Sequence, residues 1–421
     1  MNRKLASIIA CSVLTFSMVT GCSSTGKEGD SSKKEDVTLT FMTNKVGKPS
    51  DALKEVCEDF TNETGIKVEF SAPGSNYEEL MKTKMAANDL PDLWTTHGWS
   101  VARYSEYLRP LNDQPWFKDV SQSIKPVITG NNDEIYALPV NMDIAGILYN
   151  VEVLEKSGVN VDDIKTWGDF EKALDKIKAA GFTPIHIGGK DSWTIGQFFD
   201  WVAPSFYVTN ENKNYRKELK DGSFDWKLWS EVAGLFEKWN NAGYFNVDSL
   251  TSDYNTAAKL LGEGKVAFEF YGNNTMNDAL SYNKDAKLGF MPIPAKDESD
   301  EPTLIAGEDI AIGVNKNSKN EEAALKLLNY FAKPEVLSKL STISAMPSGI
   351  NGIESDTGMA NEYYDKYKDV KTMPYFDRAY LPNGMWDDMC IGGASILSKE
   401  KDAVQKSVDQ MRQSYNDKIN Q

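Results

Sequence analysis

Asp143 is the residue of this sequence best suited to bind a polar ligand. It lies within residues 134–150 (EIYALPVNMDIAGILYN), between an apolar run broken by Pro139 and a second apolar run over residues 144–149. Both runs predict short buried strands. Burying a carboxylate is costly unless it is paired, so Asp143 either has a structural partner, such as a backbone N–H or an arginine, or faces a ligand. We interpret this segment as a connection between two lobes, with Asp143 facing the cleft between them.

Tryptophans and amides are further candidates for binding a polar ligand. Carboxylates accept charge-assisted hydrogen bonds from hydroxyls, and asparagine amides both donate and accept. Aromatic faces supply apolar area for the C–H groups of such a ligand, and tryptophan offers the largest face. The chain has 10 tryptophans, and we consider four of them for stacking or, equally, for core packing: Trp99, Trp193, Trp201 and Trp386. Three others have helical spacing and are interpreted as structural: Trp226, Trp229 and Trp239.

The sequence gives little support to nucleic-acid binding, to a metal site or to several known catalytic motifs. A formal net charge of −16 argues against nucleic acid as a partner. The sequence contains no G-x-S-x-G, H-E-x-x-H or phosphate-loop motif. Two histidines and a few scattered cysteines make no metal site, so we expect neither a metal nor a cofactor. A pair of catalytic carboxylates has no fixed spacing, so a secreted glycoside hydrolase remains an alternative to a binding protein.

The first hundred residues after the N-terminal region predict a parallel sheet. Strands are expected near residues 37–42, 66–70 and 93–94, separated by helices with apolar residues at helical spacing. Ligands bind outside the carboxyl ends of such strands. This rule nominates the residues after the first and third strands: Asn44, Lys45, Thr96, His97, Gly98 and Trp99.

The alternation of predicted helices and strands continues after residue 150. Thr166 and Asp169 have the spacing of a capping box, with Asp where Glu or Gln is usual. An aromatic-rich helix is predicted over residues 193–204. A strand over residues 264–270 ends in a loop that carries Asn273 and Asn274. His186 alternates within a predicted strand and is interpreted as a core residue.

The N-terminus predicts export and lipid anchoring. Arg3 and Lys4 precede an apolar stretch over residues 5–19, and the sequence Val-Thr-Gly-Cys that ends at Cys22 resembles the lipobox of bacterial lipoproteins. This resemblance implies a signal peptide over residues 1–21 and an acylated Cys22 at the extracellular face of the cell membrane. An ordinary signal peptide cut nearby is the alternative. Residues 22–36 read as the lipid attachment point and a flexible tether.

Two cysteines remain after the lipobox, Cys57 and Cys390. They lie far apart in the sequence. They are either buried thiols or one disulfide.

Taken in order, several segments resemble the extracellular solute-binding proteins of ABC importers, in the branch (family 1) that includes maltose-binding and other oligosaccharide-binding proteins. The segments are the lipobox, PDLWTTHG, YALPVNMDIAGILYN, TWGDFEKALDKIKAAGFTPI, GKVAFEFYGNN and AGEDIAIGVNKNSKNEEAALKLLNYF. The resemblance implies an α/β, two-lobed periplasmic-binding-protein-like fold, each lobe a mostly parallel sheet flanked by helices. It implies one lobe of residues 37–141 plus 308–345 and another of residues 146–303 plus 346–421.

The same resemblance implies a function and a set of ligand-binding residues. The protein would bind a carbohydrate, deliver it to ABC transporter permease subunits, act as a monomer and perform no chemistry on the sugar. Asn273 and Asn274 stand where maltose binders carry an aromatic residue. Carried over with the candidates above, the ligand-binding set is Asn44, Lys45, Thr96, His97, Trp99, Asp143, Trp193, Asn273, Asn274, Glu308 and Trp386. A binding lipoprotein for peptide or polyamine, or an adhesion or sensor role, is the remaining alternative.

Overall fold

A computed structural model describes residues 37–130 and 133–419 of the chain. Residues 37–421 form one compact unit. The signal peptide, Cys22 and the tether expected from the sequence lie outside the described residues. Within the described part, no helix is both long and apolar enough to cross a bilayer.

Helices and strands alternate along the described chain. The strands are β1 (Thr38–Met42), β2 (Lys67–Ser71), β3 (Leu93–Thr95), β4 (Leu138–Pro139), β5 (Met142–Ala145), β6 (Ile147–Asn150), β7 (Thr183–Ile185), β8 (Val266–Glu269), β9 (Leu288–Met291), β10 (Leu304–Glu308), β11 (Ala311–Val314) and β12 (Thr372–Pro374). The helices are α1 (Gly47–Thr64), α2 (Tyr77–Ala87), α3 (Lys125–Ile128), α4 (Val151–Lys156), α5 (Trp167–Ala179), α6 (Trp193–Tyr207), α7 (Arg216–Asp221), α8 (Trp229–Ala242), α9 (Tyr254–Gly262), α10 (Thr275–Tyr282), α11 (Glu321–Phe331), α12 (Pro334–Ser344), α13 (Asn361–Lys366), α14 (Phe376–Tyr380), α15 (Trp386–Leu397) and α16 (Ala403–Lys418).

The first sheet has five strands in the order β2-β1-β3-β11-β4. β1 runs parallel to β2 and to β3, which confirms the strand–helix–strand pattern predicted for this region. β11 is antiparallel to both of its neighbours, β3 and β4. The edge formed by the carboxyl ends of β1 and β3 therefore carries the loops that begin at Thr43 and Thr96.

The second sheet has four strands in the order β7-β8-β6-β9. β7 and β8 are parallel, but β6 is antiparallel to both β8 and β9. This sheet is therefore mixed, whereas the resemblance implied a mostly parallel one. The chain enters this sheet through β6, which follows β5 of another sheet after the single residue Gly146.

A third sheet has three strands in the order β12-β10-β5. Two of its strands, β5 and β10, are in the segments that connect the other two sheets. β5 follows β4 of the first sheet and leads into β6 of the second, while β10 leads into β11 of the first. β5 and β10 pair antiparallel, with Asp143 opposite Gly307 and Met142 opposite Glu308. The two connections between the main sheets therefore run side by side as one hydrogen-bonded ladder.

Two large hydrophobic clusters surround the main sheets. One is built from residues between 145 and 305 and between 360 and 415, and it includes Phe170, Phe198 and Trp239. The other draws on residues between 39 and 142 and between 310 and 350, and it includes Phe41 and Phe331. A small third cluster lies around Trp94 and Tyr104.

The larger cluster accounts for most of the tryptophans considered for stacking or packing. Its fully or almost fully buried members are Trp167, Trp201, Trp226, Trp229 and Trp239. The structural interpretation of Trp226, Trp229 and Trp239 is confirmed. Trp201, which was considered for stacking, is a core residue with no exposed surface.

Local sequence signals explain where several elements begin and end. Thr166 and Asp169 form the capping box of α5, since each side chain accepts a hydrogen bond from the backbone N–H of the other at 3.2 Å. Gly65 ends α1 in the left-handed conformation, with a φ of 76°. Cys57 and Cys390 are free, buried thiols. Burial raises the pKa of each thiol to about 12.

Candidate functional site

Asp143 lies at the ladder that joins the two main sheets. Its Oδ2 accepts a 2.6 Å hydrogen bond from the hydroxyl of Tyr375, which directly follows β12. Its Oδ1 is buried and has no hydrogen-bond partner among the described residues. Such an acceptor costs about 1–3 kcal/mol when it stays unpaired. Asp143 therefore has both a structural partner and a vacant acceptor.

The electrostatic surroundings of Asp143 favour its neutral form. Burial is the largest influence and raises the pKa of the carboxyl, and the nearby Asp309 raises it further. The Tyr375 hydroxyl, Arg378 and Lys45 oppose this rise. The pKa of Asp143 therefore lies above its ordinary value.

Asn44 and Lys45 follow β1, as predicted, and Lys45 lies close to the ladder. The Lys45 ammonium pairs with the carboxylate of Asp309. Asn141 orients the same carboxylate, donating from Nδ2 to Oδ2 at 3.3 Å, while its own Oδ1 accepts from the Ile310 N–H at 2.6 Å. Asn44 accepts a 3.0 Å hydrogen bond from the Thr95 hydroxyl. Lys45 and Asp309 thus form an ion pair close enough to influence Asp143.

The segment after β3 contributes one aromatic face and two structural residues. Thr96 is buried and its backbone N–H donates to Ala311 at 2.8 Å, so it holds β3 to β11. The His97 imidazole bonds the Glu78 carboxylate, and burial lowers its pKa. Trp99 is half-buried, and the Arg103 guanidinium lies 4.4 Å from the centre of its ring. Trp99 is therefore the one residue of this segment with an aromatic face near the other candidates.

Glu308 lies on the opposite side of the ladder from Asp143. Paired residues share one face of a sheet and successive residues alternate, so Asp143 shares its face with Gly307 and Glu308 shares its face with Met142. Glu308 is buried, and its Oε1 accepts a 2.8 Å hydrogen bond from Ser100. Its Oε2 has no partner among the described residues, and burial raises its pKa.

The loop after β8 brings two amides to Asp143. Asn273 is buried and donates from Nδ2 to the Ile144 carbonyl at 2.7 Å and to the Tyr364 hydroxyl at 3.2 Å. Its Oδ1 has no partner in the described part of the chain. Asn274 is exposed. A Cβ built on Gly272 would lie 3.7 Å from Asp143 Oδ2 and 2.7 Å from Asn274 Oδ1, which places Asn274 beside Asp143.

Trp193 and Trp386 lie near the beginning of α6. Trp193 is its first residue, is 40% exposed, and packs against Tyr254 and Tyr271 with ring centres 5.4 and 5.7 Å apart. Trp386 is half-buried, and a Cβ on Gly196, one turn after Trp193, would fall 2.9 Å from its indole nitrogen. Tyr271 is followed directly by Gly272, so this aromatic group adjoins the loop beside Asp143.

Sequence reasoning missed Tyr375 and Arg378. Arg378 is half-buried, and its guanidinium carbon lies 4.4 Å from the Tyr375 ring centre and 5.6 Å from the Trp99 ring centre. Both residues follow β12, so the rule that nominated Asn44 and Thr96 would have found them. The strand itself was missed because it has only three residues, one of them a proline, which are too few for a recognisable pattern.

Two buried carboxyl groups, those of Asp200 and Asp377, lie near Arg378 and favour its charged form. Asp200 of α6 accepts a 2.7 Å hydrogen bond from the Asp377 backbone N–H. Burial and the proximity of Asp377 raise the pKa of Asp200 well above its ordinary value. Within the described residues, no group of three or more His, Cys, Asp and Glu side chains is arranged to hold a metal.

Comparison with known proteins places this chain in a family. A family model described as bacterial extracellular solute-binding protein matches residues 47–337. The melibiose/raffinose/stachyose-binding protein MelE of Bacillus subtilis is 32% identical, over 91% of this chain and 90% of that protein. A multiple sugar-binding protein of Streptococcus mutans is 23% identical, over 82% of each chain.

Solved structures agree with these relatives. A binding protein from Bacillus subtilis, in an open conformation, superposes with a TM-score of 0.86 at 29% identity, over 93% of this chain and 99% of that one. A sugar transporter protein from Bacillus licheniformis, in complex with stachyose, superposes with a TM-score of 0.78 at 32% identity, over 90% of this chain and 100% of that one. The chain belongs to the bacterial extracellular solute-binding proteins, and it has their two-lobed α/β fold.

Proposed function

We propose that this protein binds an extracellular oligosaccharide beside Asp143 and delivers it to the permease of an ABC importer. The observation that carries the proposal is the vacant, buried Oδ1 of Asp143 on the ladder between the two main sheets. Sugar hydroxyls are donors of the right kind for this acceptor. Half-buried and exposed tryptophans nearby supply apolar faces for the C–H surface of sugar rings.

We propose the division into lobes that the family resemblance implied, with one adjustment. We assign residues 37–141 plus 308–345 to one lobe and residues 146–303 plus 346–421 to the other. The two hydrophobic clusters support this division. Ile350 belongs to the cluster of the first lobe, and the Ser348 hydroxyl donates to the Val140 carbonyl at 3.1 Å. We therefore move the second boundary beyond residue 350.

The proposed ligand-binding residues fall into three groups. Asp143, Asn273 and Asn274 form the centre. Polar and aromatic groups of the first lobe lie on one side: Asn44, Lys45, Thr96, His97, Trp99 and Glu308. Trp193 and Trp386 lie on the other. Thr96 and His97 have protein partners for their principal polar groups, so we assign them a supporting role. Glu308 keeps one carboxylate oxygen without a partner among the described residues but lies on the other face of the ladder from Asp143. We therefore expect ligand contacts mainly from the other residues.

The ligand class is a neutral oligosaccharide of the kind bound by the relatives. One relative is named for melibiose, raffinose and stachyose, and one solved structure contains stachyose. These are galactose-containing sugars with many hydroxyls and no charge. We propose that this chain binds sugars of that group.

Two of the alternatives, a polyamine-binding protein and a glycoside hydrolase, fit the site less well. A polyamine would meet two cations, Lys45 and Arg378, close to Asp143. A glycoside hydrolase needs two carboxyl groups flanking one bond. Glu308 lies on the opposite face of the ladder from Asp143, and Asp309 is held in an ion pair with Lys45. We therefore propose a receptor that performs no chemistry on its ligand. We also propose that lipid attached to Cys22 anchors the protein to the membrane and that the protein acts as a monomer.

Thermal unfolding of the compact unit, residues 37–421, tests the function. The panel contains melibiose, raffinose, stachyose, maltose, a tripeptide mixture and spermidine. A ligand that binds only the folded state stabilises it by about 2.7 kcal/mol at one hundred times its dissociation constant. We expect a raised midpoint with one or more galactose-containing sugars. A shift with spermidine or peptides alone would replace the sugar, and product formation from stachyose would restore the hydrolase.

A further inference from the structure

Arg378 is a cation whose hydrogen-bond donors are unused. No hydrogen bond or ion pair joins its guanidinium to another of the described residues, and its neighbours act through space only. The Arg378 side chain packs directly on Gly98. A Cβ added to Gly98 would fall 1.9 Å from Nη1 of Arg378. Gly98 has a φ of 90°, a conformation that glycine adopts without strain. The first lobe therefore leaves space for this guanidinium without pairing it.

Its charge is nevertheless compensated. Burial alone would lower the pKa of Arg378, but Asp377, Tyr375, Glu308 and Asp200 outweigh burial, and the pKa lies above its ordinary value. A half-buried guanidinium that is charged but not hydrogen-bonded has up to five donors to offer. A ligand with neutral acceptor atoms can use these donors without disturbing the charge balance.

Tyr375 connects Arg378 to Asp143. Its hydroxyl donates to Asp143 Oδ2, which leaves Oδ1 as the vacant acceptor. Its ring lies 4.4 Å from the Arg378 guanidinium carbon, within the range of a cation–π interaction. Tyr375 and Arg378 are three residues apart at the start of α14. The Tyr375 side chain thus contacts both the guanidinium donor of Arg378 and the carboxylate acceptor of Asp143.

Resting on the proposed function, we propose that Arg378 and Asp143, oriented together by Tyr375, form a donor–acceptor pair that holds adjacent hydroxyls of one neutral sugar ring. The guanidinium donates to one hydroxyl oxygen, and Asp143 Oδ1 accepts from the neighbouring hydroxyl. An acidic sugar is excluded from this position, because its carboxylate would lie beside the carboxyl group of Asp143 and near that of Asp309.

Calorimetric titration of residues 37–421 with stachyose and with trigalacturonate tests the proposal. The variants are Arg378→Met, Arg378→Lys and Tyr375→Phe. We expect Arg378→Met to weaken stachyose binding about 10- to 100-fold. Arg378→Lys keeps the charge but loses the planar fork, so we expect an intermediate loss. Tyr375→Phe keeps the ring beneath Arg378 but frees Asp143, and we expect about a 3- to 10-fold loss.

Arg412→Met is the matched control. Arg412 lies on α16, is exposed, and pairs with Asp409, so its loss should leave binding unchanged. Unfolding midpoints and circular dichroism show whether each variant is folded, and Tyr375→Phe keeps the test valid where Arg378→Met does not fold.

The outcomes are distinguishable. A wild-type protein that binds a panel sugar, with equal affinity in Arg378→Met, overturns this inference and leaves the proposed function intact. A wild-type protein that binds no sugar overturns both. Trigalacturonate bound as tightly as stachyose overturns the restriction to neutral rings.

Discussion

Gly307 lies directly opposite Asp143 in the antiparallel ladder of β5 and β10. A Cβ at position 307 would come within 2.7 Å of the Tyr375 ring, closer than such contacts allow. The absence of a side chain on one strand therefore lets Tyr375 reach the carboxylate on the other.

Gly307→Ala should displace Tyr375 and weaken sugar binding. Because the displaced ring loses its contact with Asp143, we expect an affinity loss of about 10-fold, measured by calorimetric titration. The matched control is Gly234→Ala in α8, where a Cβ meets nothing within 4 Å. That variant should bind normally and gain about 0.5–1 kcal/mol of stability, since glycine is unfavourable within a helix. Equal affinities in both variants would contradict the role of Tyr375.

Asp143→Ala should weaken binding much more than it weakens folding. The variant removes the vacant acceptor that we assign to the ligand and leaves the Tyr375 hydroxyl unpaired, and hydrogen bonds to charged groups contribute about 1.5–3 kcal/mol each. We expect an affinity loss of about 10- to 100-fold in calorimetric titration, with an unfolding midpoint close to that of the wild-type protein. Unchanged affinity would remove Asp143 from the site.

Sugar binding should fall at acidic pH, and the fall should begin above the pH range of an ordinary aspartate. The pKa of Asp143 is raised by burial and by Asp309, against the opposing influence of Tyr375, Arg378 and Lys45. As pH decreases through that raised pKa, the carboxylate gains a proton and loses acceptor strength. Affinity measured from pH 4 to pH 8 should show this fall in the wild-type protein. Asp143→Asn should bind weakly at every pH, without the same dependence.

Glu269→Gln should change how stability depends on pH. Glu269 ends β8, is fully buried, and neither carboxylate oxygen has a partner among the described residues. Burial raises its pKa well above the ordinary value. The folded protein therefore keeps a proton that the unfolded chain releases, so stability falls as pH rises from the unfolded pKa toward the folded one.

The variant has no such proton to lose. Unfolding by denaturant at pH 5 and pH 8 should show a larger decrease for the wild-type protein than for Glu269→Gln, by about 1 kcal/mol or more. Parallel pH profiles for the two proteins would mean that Glu269 has a partner in solution.

Elements whose signals are local could be predicted from the sequence. α1, β1 and β2 follow from apolar spacing, and α5 begins at a capping box that Thr166 and Asp169 specify by themselves. Asp143 stood out because a charged residue between two apolar runs needs an explanation. Its role toward a ligand stays a prediction.

The remainder depends on pairing between distant segments. The orientation of Glu308 away from Asp143 follows from the register of β10 against β5, which involves residues more than 160 positions apart. The antiparallel direction of β6 is seen only in its pairing with β8 and β9, which lie far along the chain, and Arg378 is placed by its contact with Gly98 and Tyr375. No local pattern contains this information.

The double connection between the sheets also sets when the molecule can fold. The cluster that begins at Leu39 is completed by residues 310–350, and the cluster that begins at Ala145 is completed by residues 360–415. The first core therefore cannot be completed before residue 350 has been synthesised, and the second cannot be completed before residue 415. Both cores therefore stay incomplete during most of the synthesis of the chain.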